Sequence, residues 1–360
     1  MKYIEIKGIG FPNKGAELLL CAVLEQIKKR QFIACMEPYS PYKFKIHYPV
    51  TTKTRIYKWR INLLFPLNFL PVYVTERLGF VKPSQISLIL DASGFAYGDD
   101  WEASLAESRI LNERKTAQIV LLPQSLGPFT KKDSIKVAKK LVKKAKLIYS
   151  REQTGQDQFE HVTGRRIKYC PDITFNLPVF SADSIEKEGV LIIPNFQVHK
   201  REGETYLENL VFIIQYLLKE NKKIELLNHE GLKDQEICEE IRTRIAKETK
   251  TQIEILNPSN GIAAKTKILS SELVITSRYH GLISALSQQI PVVCYGWSFK
   301  YNDALSRFNL PLFNLSNPTE KILKEICSKE YADLFVSEEY RTELDLIKSE
   351  INKMWSDVFS

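Results

Sequence analysis

The sequence predicts an α/β protein built as two doubly wound halves, and three features carry that prediction. Apolar strand-like runs alternate with helical patterns along most of the chain. Runs such as "LIL", "IVLL" and "VLII" are continuously apolar, as strands covered on both faces of a parallel sheet must be. One polar break, "NLPVFSADSIEKEG" at 176–189, divides the alternation in two.

In chain order, the first half has strand candidates at 2–7, 32–36, 86–91, 118–122, 146–150 and 167–170. The second has them at 189–193, 223–228, 252–256, 272–277 and 291–295. Helical periodicity marks 15–30, 101–116, 131–145, 204–220, 232–248, 260–270 and 280–288. The expected domains are therefore 1–180 and 186–335, followed by an amphipathic helix at 337–359 with Ser337 as its N-cap. The stretch 38–80 reads as an irregular insertion. Residues 38–75 hold no acidic residue, six Lys or Arg and nine aromatics. Basic groups beside Trp and Tyr suit a surface that touches anionic lipid or a lipid-linked substrate. The Lys-rich helix at 131–146 points the same way.

Composition narrows the function. At 360 residues, two domains are the ordinary expectation. Apolar residues at 44% and charged residues at 26% fit a soluble globular chain. The net charge of +8 comes without zinc-finger spacing, RNP-like aromatics or an Arg-rich tail, so nucleic acid is not an expected partner. Six scattered cysteines with no C-x-x-C pair suggest reduced thiols in a cytoplasmic protein. "MKYIEIKGIG" is read as a strand rather than a signal peptide, and "INLLFPLNFLPVYV" is too short to span a bilayer. Five dispersed histidines, with no H-E-x-x-H or D-x-D, predict no metal. There is no G-x-S-x-G elbow.

In doubly wound sheets, ligands bind beyond the carboxyl ends of the strands, so residues just after strands are the ones to inspect. "LIYSRE" (147–152) and "VITSRYH" (275–280) share a layout of strand, Ser, Arg and helix. The serines suit helix N-caps. The arginines do not suit the positive end of a helix, where free N–H groups instead favour anions. Arg151 and Arg278 are thus candidate anion ligands. His280 is a candidate for proton transfer, with Gly281 giving a ligand close access to the backbone. Lys300 and Tyr301 follow the next strand and belong beside this turn. "GIGFPNKGAELLL" (8–20) lacks the glycines of a dinucleotide loop and the Lys-Ser/Thr of a P-loop, leaving Asn13, Lys14 and Glu17 as polar contacts for a sugar. Asp91 ends a strand and is a candidate base for a sugar hydroxyl, with Glu17 behind it. Gln124 is a further hydrogen-bonding group, and Asp172 follows the last strand of the first half.

"SRYHGLISALSQQIPVVCYGWSFKYNDAL", "LLPQSLGPF", "YSREQTGQDQF" with "YCPDITF", and "FPNKGAELLL" resemble the polysaccharide pyruvyl transferases. The resemblance implies a glycosyltransferase-B-like fold, two Rossmann-like domains facing a cleft. It implies transfer of pyruvate from phosphoenolpyruvate to two sugar hydroxyls, forming a cyclic ketal on capsule or exopolysaccharide. Phosphoenolpyruvate would be a co-substrate and no further cofactor is expected. Arg151 of the first half and Arg278, His280 and Lys300, with Tyr301, of the second would hold the donor, the second half being the donor side. A sugar acceptor, lipid-linked or free, would meet the first half, and the enzyme would work in the cytoplasm or peripherally at the inner membrane. A carboxylate and a phosphate on three carbons need convergent cations, in keeping with that set. Two rivals stand beside this reading. A nucleotide-sugar glycosyltransferase of the same fold should show a Gly-Gly turn and a downstream Glu after "IPVV", where "CYGWSFKYND" offers Lys and Tyr. A non-catalytic glycan-binding protein has no need of Arg278, His280 and Lys300.

Overall fold

The structure is a computed structural model that describes residues 3–55, 57–58, 61–111, 113, 117–178, 186–296 and 299–360. Chain contacts divide it into two compact units. The first comprises 1–11, 19–173 and 350–360, and the second 12–18 and 174–349. Neither is a single contiguous piece, in contrast to the linear division at 180 and 186. Residues 12–18 leave the first unit for the second, and the helix Glu338–Phe359 is shared between them. Of the polar break at 176–189, residues 179–185 lie outside the described residues.

The second unit is a five-stranded parallel sheet. Its order is Glu254–Leu256, Ile224–Leu227, Val190–Ile193, Leu273–Thr276, Val292–Cys294. The first strand in sequence is central, so the chain reverses direction across the sheet between Val190–Ile193 and Leu273–Thr276. That reversal is the switch point at which doubly wound folds place ligands. Helices cover the sheet because one face of each is apolar: Glu204–Lys219 buries Tyr206, Leu207, Leu210, Ile213, Ile214 and Leu217. The helix Glu338–Phe359 begins where expected, with Ser337 Oγ accepting from the Tyr340 amide at 3.2 Å.

The first unit has its parallel strands in the order Lys168–Tyr169, Leu147–Ser150, Gln118–Leu126, Ile86–Asp91, Tyr3–Lys7, Ile33–Met36, Val50–Lys53 and Phe80–Val81. Its switch point lies between Tyr3–Lys7 and Ile86–Asp91, paired up to Lys7 with Asp91. Two corrections follow. The stretch 38–80 is not wholly an insertion, because Val50–Lys53 and Phe80–Val81 extend the sheet. Short strands toward a sheet edge need less apolar sequence, and "VTTK" did not stand out. The expected helix at 101–116 is Ala103–Ala106 followed by a π-turn, Glu107–Leu111, with 112 and 114–116 outside the described residues.

Beneath this sheet lies a charge network that the hydrophobic pattern did not disclose. Lys53 Nζ donates to Glu5 at 2.7 Å and reaches Glu113 at 3.3 Å. Lys7 Nζ donates to Glu113 at 2.7 Å and to Glu37 at 2.9 Å, and Arg55 also pairs with Glu113. Burial works to raise the Glu113 carboxyl, but Lys7, Lys53 and Arg55 outweigh it and hold it at about 2. Glu5, Glu37 and Glu113 are close enough to share an ion. The ammonium groups already among them make the group a balanced salt-bridge cluster instead. Removing one member leaves buried charge unpaired, which costs several kcal/mol. Lys53→Met should therefore lower stability by about 3 kcal/mol, read as a shift in the urea midpoint. An unchanged midpoint would mean that the network carries no net stability.

Candidate functional site

The switch point of the second unit is built from the backbone outward. The Ser277 amide donates to Ile193 O at 2.9 Å, tying the two central strands together past their ends. The Ser277 carbonyl accepts from Asn195 Nδ2 and from Tyr301 Oη, each at 2.9 Å. Its hydroxyl meets that of buried Tyr206 at 2.8 Å. Ser277 is therefore a structural hub and not the expected helix cap. The N-cap of Tyr279–Leu286 is Arg278, without a side-chain cap bond. Likewise Glu152, not Ser150, is the N-cap of Gln153–Thr163.

Arg278 is only 9% exposed, and its guanidinium lies between two carboxylates, Glu230 and Asp234. Asp234 is fully buried and is fixed by the Phe196 amide at 3.1 Å, whereas the Glu230 side chain is 38% exposed. Burial opposes the charge on Arg278, and Asp234 and Glu230 more than offset it, so the guanidinium is held above its ordinary value. Among the described residues, the buried nitrogens here without a hydrogen-bond partner include Arg278 Nε and His229 Nδ1. Burial, then Arg278, His280 and Lys14, push His229 well below the ordinary histidine range, so it stays neutral.

Residues 12–18 complete this face. Asn13 caps the helix Lys14–Lys29, its Oδ1 accepting from the Gly15 and Ala16 amides, while its Nδ2 donates to Glu230 at 2.8 Å. The Lys14 amide donates to His229 O at 3.1 Å. Glu17, buried, accepts from the Gly261 amide at 2.7 Å. Gly15 lies directly against His280: a Cβ built there would come within 2.2 Å of Nδ1. Asn13, Lys14 and Glu17, expected as sugar contacts of the first domain, are thus parts of the second unit's frame. Gly281 serves packing and not ligand access, since a Cβ there would meet Thr276 Oγ1 at 2.5 Å. Lys300 lies over the Tyr279 ring at 5.7 Å, and Tyr301 is buried with its hydroxyl spent on Ser277.

The remaining expected residues lie in the first unit. Arg151 is 5% exposed and donates to Ser125, Glu152 and Asp172 at 2.8–3.0 Å, the geometry of a buried structural ion pair. Asp91 is fully buried, with one carboxylate oxygen on the Ser93 amide and hydroxyl and the other on Tyr97. That arrangement fixes the turn after the strand and is a positioning role, not that of a base touching a sugar. Gln124 is also buried, donating to Asp91 O at 3.2 Å and accepting from Ser93 at 3.1 Å. Beyond the end of Tyr3–Lys7 the first unit has a cavity of about 930 Å³ lined in part by Phe11, Glu37, Tyr39, Arg55 and Arg109. Aromatic faces among paired charges are a lining suited to a sugar.

His229, Glu230 and Asp234 were missed by the sequence reading. They follow the strand Ile224–Leu227, so the strand-end rule applied to "LLNHEGLKD" was the signal available.

With this geometry in view, comparison with known proteins is informative. The family model for polysaccharide pyruvyl transferases matches residues 13–298. The chain belongs to the polysaccharide pyruvyl transferase family. Membership makes it a transferase of the kind that pyruvylates polysaccharide, and the matched span contains the Arg278–His280 turn. No curated protein matches the chain. Among solved structures, Anabaena HepE in complex with UDP-glucose is 14% identical, with 99% of this chain and 100% of that one covered and a TM-score of 0.63. A glycosyltransferase from Rickettsia africae is 10% identical over 100% and 98%, at 0.58. The UDP-GlcNAc 2-epimerase from Neisseria meningitidis bound to UDP-GlcNAc is 11% identical over 98% and 100%, at 0.56. At such identities the likeness is one of fold: two Rossmann-like α/β domains.

Two outcomes test the site. Gly15→Ala should displace His280 and cut turnover at least tenfold while the urea midpoint moves far less; normal turnover would show that the contact yields freely. His229, neutral when folded, takes up a proton at its ordinary value of about 6.5 only when unfolded. Its contribution to stability is present above pH 6.5 and is lost, by up to about 1.4 kcal/mol per pH unit, as pH falls below it. In His229→Gln the urea midpoint should fall less between pH 6.5 and 5 than in the wild type.

Proposed function

We propose that the chain transfers pyruvate from phosphoenolpyruvate to two hydroxyls of one sugar, closing a ketal during synthesis of a surface polysaccharide such as capsule or exopolysaccharide. The observation that carries this reading is the buried Arg278, whose Nε has no partner among the described residues, two residues before His280 at the switch point. A buried N–H without a partner is costly, and an oxygen of a bound anion removes that cost.

In this scheme Arg278 and Lys300 bind the donor's carboxylate and phosphate. Glu230 is the exposed arm of the Arg278 clamp and gives way to the anion, while buried Asp234 keeps the guanidinium in place. His280 delivers a proton at the donor. The methylene carbon gains a proton and becomes a methyl group, and C2 is attacked by the first sugar hydroxyl. The second hydroxyl then forms the other C2–O bond as the C2–O bond to phosphate breaks. Of the two hydroxyl protons released, one balances the proton used at carbon and one leaves with phosphate. Stabilising the growing phosphate charge is the work of the fixed cations. The scheme uses no dissociable cofactor. For the acceptor, lipid-linked or free, the 930 Å³ cavity of the first unit offers aromatic faces and paired charges. Scattered cysteines support a cytoplasmic setting. Arg151 and Asp91 take positioning roles, and Tyr301 acts through Ser277.

A second reading is favoured by one finding, the UDP-glucose held by Anabaena HepE. Titration calorimetry with phosphoenolpyruvate and UDP-glucose in parallel separates the two. We expect binding of phosphoenolpyruvate alone, at least tenfold weaker in Arg278→Gln. Relief of competition in Glu230→Gln should tighten it severalfold, on the order of 1 kcal/mol. Binding of UDP-glucose alone would instead assign nucleotide-sugar transfer.

A further inference from the structure

The turn "NHEG" at 228–231 is tied down by its own side chains and by its neighbours. It follows the strand Ile224–Leu227 and opens the helix Leu232–Thr249. The Asn228 amide donates to Leu256 O at 3.0 Å, and Asn228 Oδ1 accepts from the Gly231 amide at 3.0 Å. Asn228 Nδ2 donates to Gln235 at 3.1 Å and to Asn257 at 2.8 Å. Gly231 has a φ of +93°, and a Cβ there would come within 2.9 Å of Pro12, so the turn requires glycine. From the other side, the Lys14 amide donates to His229 O at 3.1 Å.

The residue that this frame fixes is His229, which is 2% exposed. A buried imidazole ordinarily has its nitrogens bonded. Nδ1 of His229 has no partner among the described residues, so its burial carries a cost that an apolar side chain would avoid. The surroundings explain why the ring is neutral. Burial is the main cause, and Arg278, His280 and Lys14 act in the same direction. The carboxylates nearby, Glu230 and Asp234, are engaged with Arg278. A protonated ring would add charge beside Arg278 and Lys14 whenever the site is empty. A neutral imidazole N–H instead adds a hydrogen-bond donor without adding a cation.

Arg278 is the matching half. Its two terminal nitrogens face Glu230 and Asp234, and Nε is the nitrogen left without a partner among the described residues. The two side chains follow the strands Ile224–Leu227 and Leu273–Thr276, which flank Val190–Ile193 in the sheet. Each thus brings one unmet nitrogen to the switch point. An oxyanion that accepts from both removes both costs.

We infer that His229 is a ligand of the bound anion, donating from Nδ1 as a neutral imidazole and forming one recognition pair with Arg278 Nε. This role rests on the reading of Arg278 as the donor site and adds a residue to it. The test is proton–nitrogen NMR of the full chain with nitrogen-15-labelled histidines, titrated with phosphoenolpyruvate at about pH 7.5, above the ordinary histidine value. His229→Gln or His229→Asn identifies the His229 signals. Phosphoenolpyruvate should move the Nδ1 signal of His229 while the ring stays neutral. In parallel calorimetry His229→Gln should bind phosphoenolpyruvate roughly tenfold more weakly. His229→Asn, whose amide nitrogen stands near the place of Nδ1, should recover most of that loss. Unchanged urea midpoints at the same pH confirm folding. If phosphoenolpyruvate binds and Arg278→Gln weakens it, yet the His229 signal stays still, the inference falls while the donor reading stands. Weaker binding by His229→Gln would then reflect a structural role alone. If phosphoenolpyruvate does not bind, the donor reading falls and UDP-glucose decides the inference. Movement of the same signal keeps His229 as an anion ligand, and no movement or no binding overturns it.

Discussion

A guanidinium cannot be taken out of water without partners, and much of the second unit follows from having placed one at its switch point. Arg278 needs compensation at once, and Asp234 provides it from a helix 44 residues away in sequence. Asp234 in turn needs its own donor, which the Phe196 amide supplies. Glu230 completes the clamp and is steadied by Asn13, so the helix cap of one segment becomes the orienting group of another. Each link is required by the previous one, because buried charge without a partner is far more costly than an exposed pair is favourable.

The first unit meets the same difficulty in a different way. Its Arg151 is surrounded by Ser125, Glu152 and Asp172, with no comparable exposed carboxylate in the set. Its lysines and glutamates under the sheet close into a balanced network. Both pair their cations with carboxylates of the same unit. The Arg278 clamp differs in having Glu230 as its more exposed carboxylate and an Nε–H without a partner among the described residues, the asymmetry on which the proposed donor role rests.

Much of the fold was legible because strands buried on both faces must be continuously apolar. "LVIT" and "VLII" say so without help from their neighbours, whereas "VTTK" and "FV" become strands only by pairing at the margin of an existing sheet. The position of Arg278 and His280 just after a strand was legible, and His229 and Glu230 stood equally open to that rule. Arg151 shows its limit. Strand, Ser, Arg, helix reads alike in both halves, yet Asp172 reaches Arg151 from 21 residues on, and no local pattern encodes that. Asn13, Asp91 and Gln124 mislead similarly, since polar groups at strand ends serve turns and caps as readily as ligands.

The assignment of residues 12–18 to the second unit has a consequence for how the chain acquires its structure. The bonds from Asn13 to Glu230 and from Gly261 to Glu17 join residues 217 and 244 apart. The face that carries Arg278 and His280 therefore cannot be finished from a fragment beginning at Thr174, whatever the intrinsic order of its own sheet. During synthesis the early segment must wait for Glu230 and Gly261 until most of the chain has emerged. Loop closure over such distances is slow and entropically unfavourable before the contacts form. Assembly of the site is thus a late, long-range event, and the two halves of this protein cannot be cut apart in sequence where they divide in space.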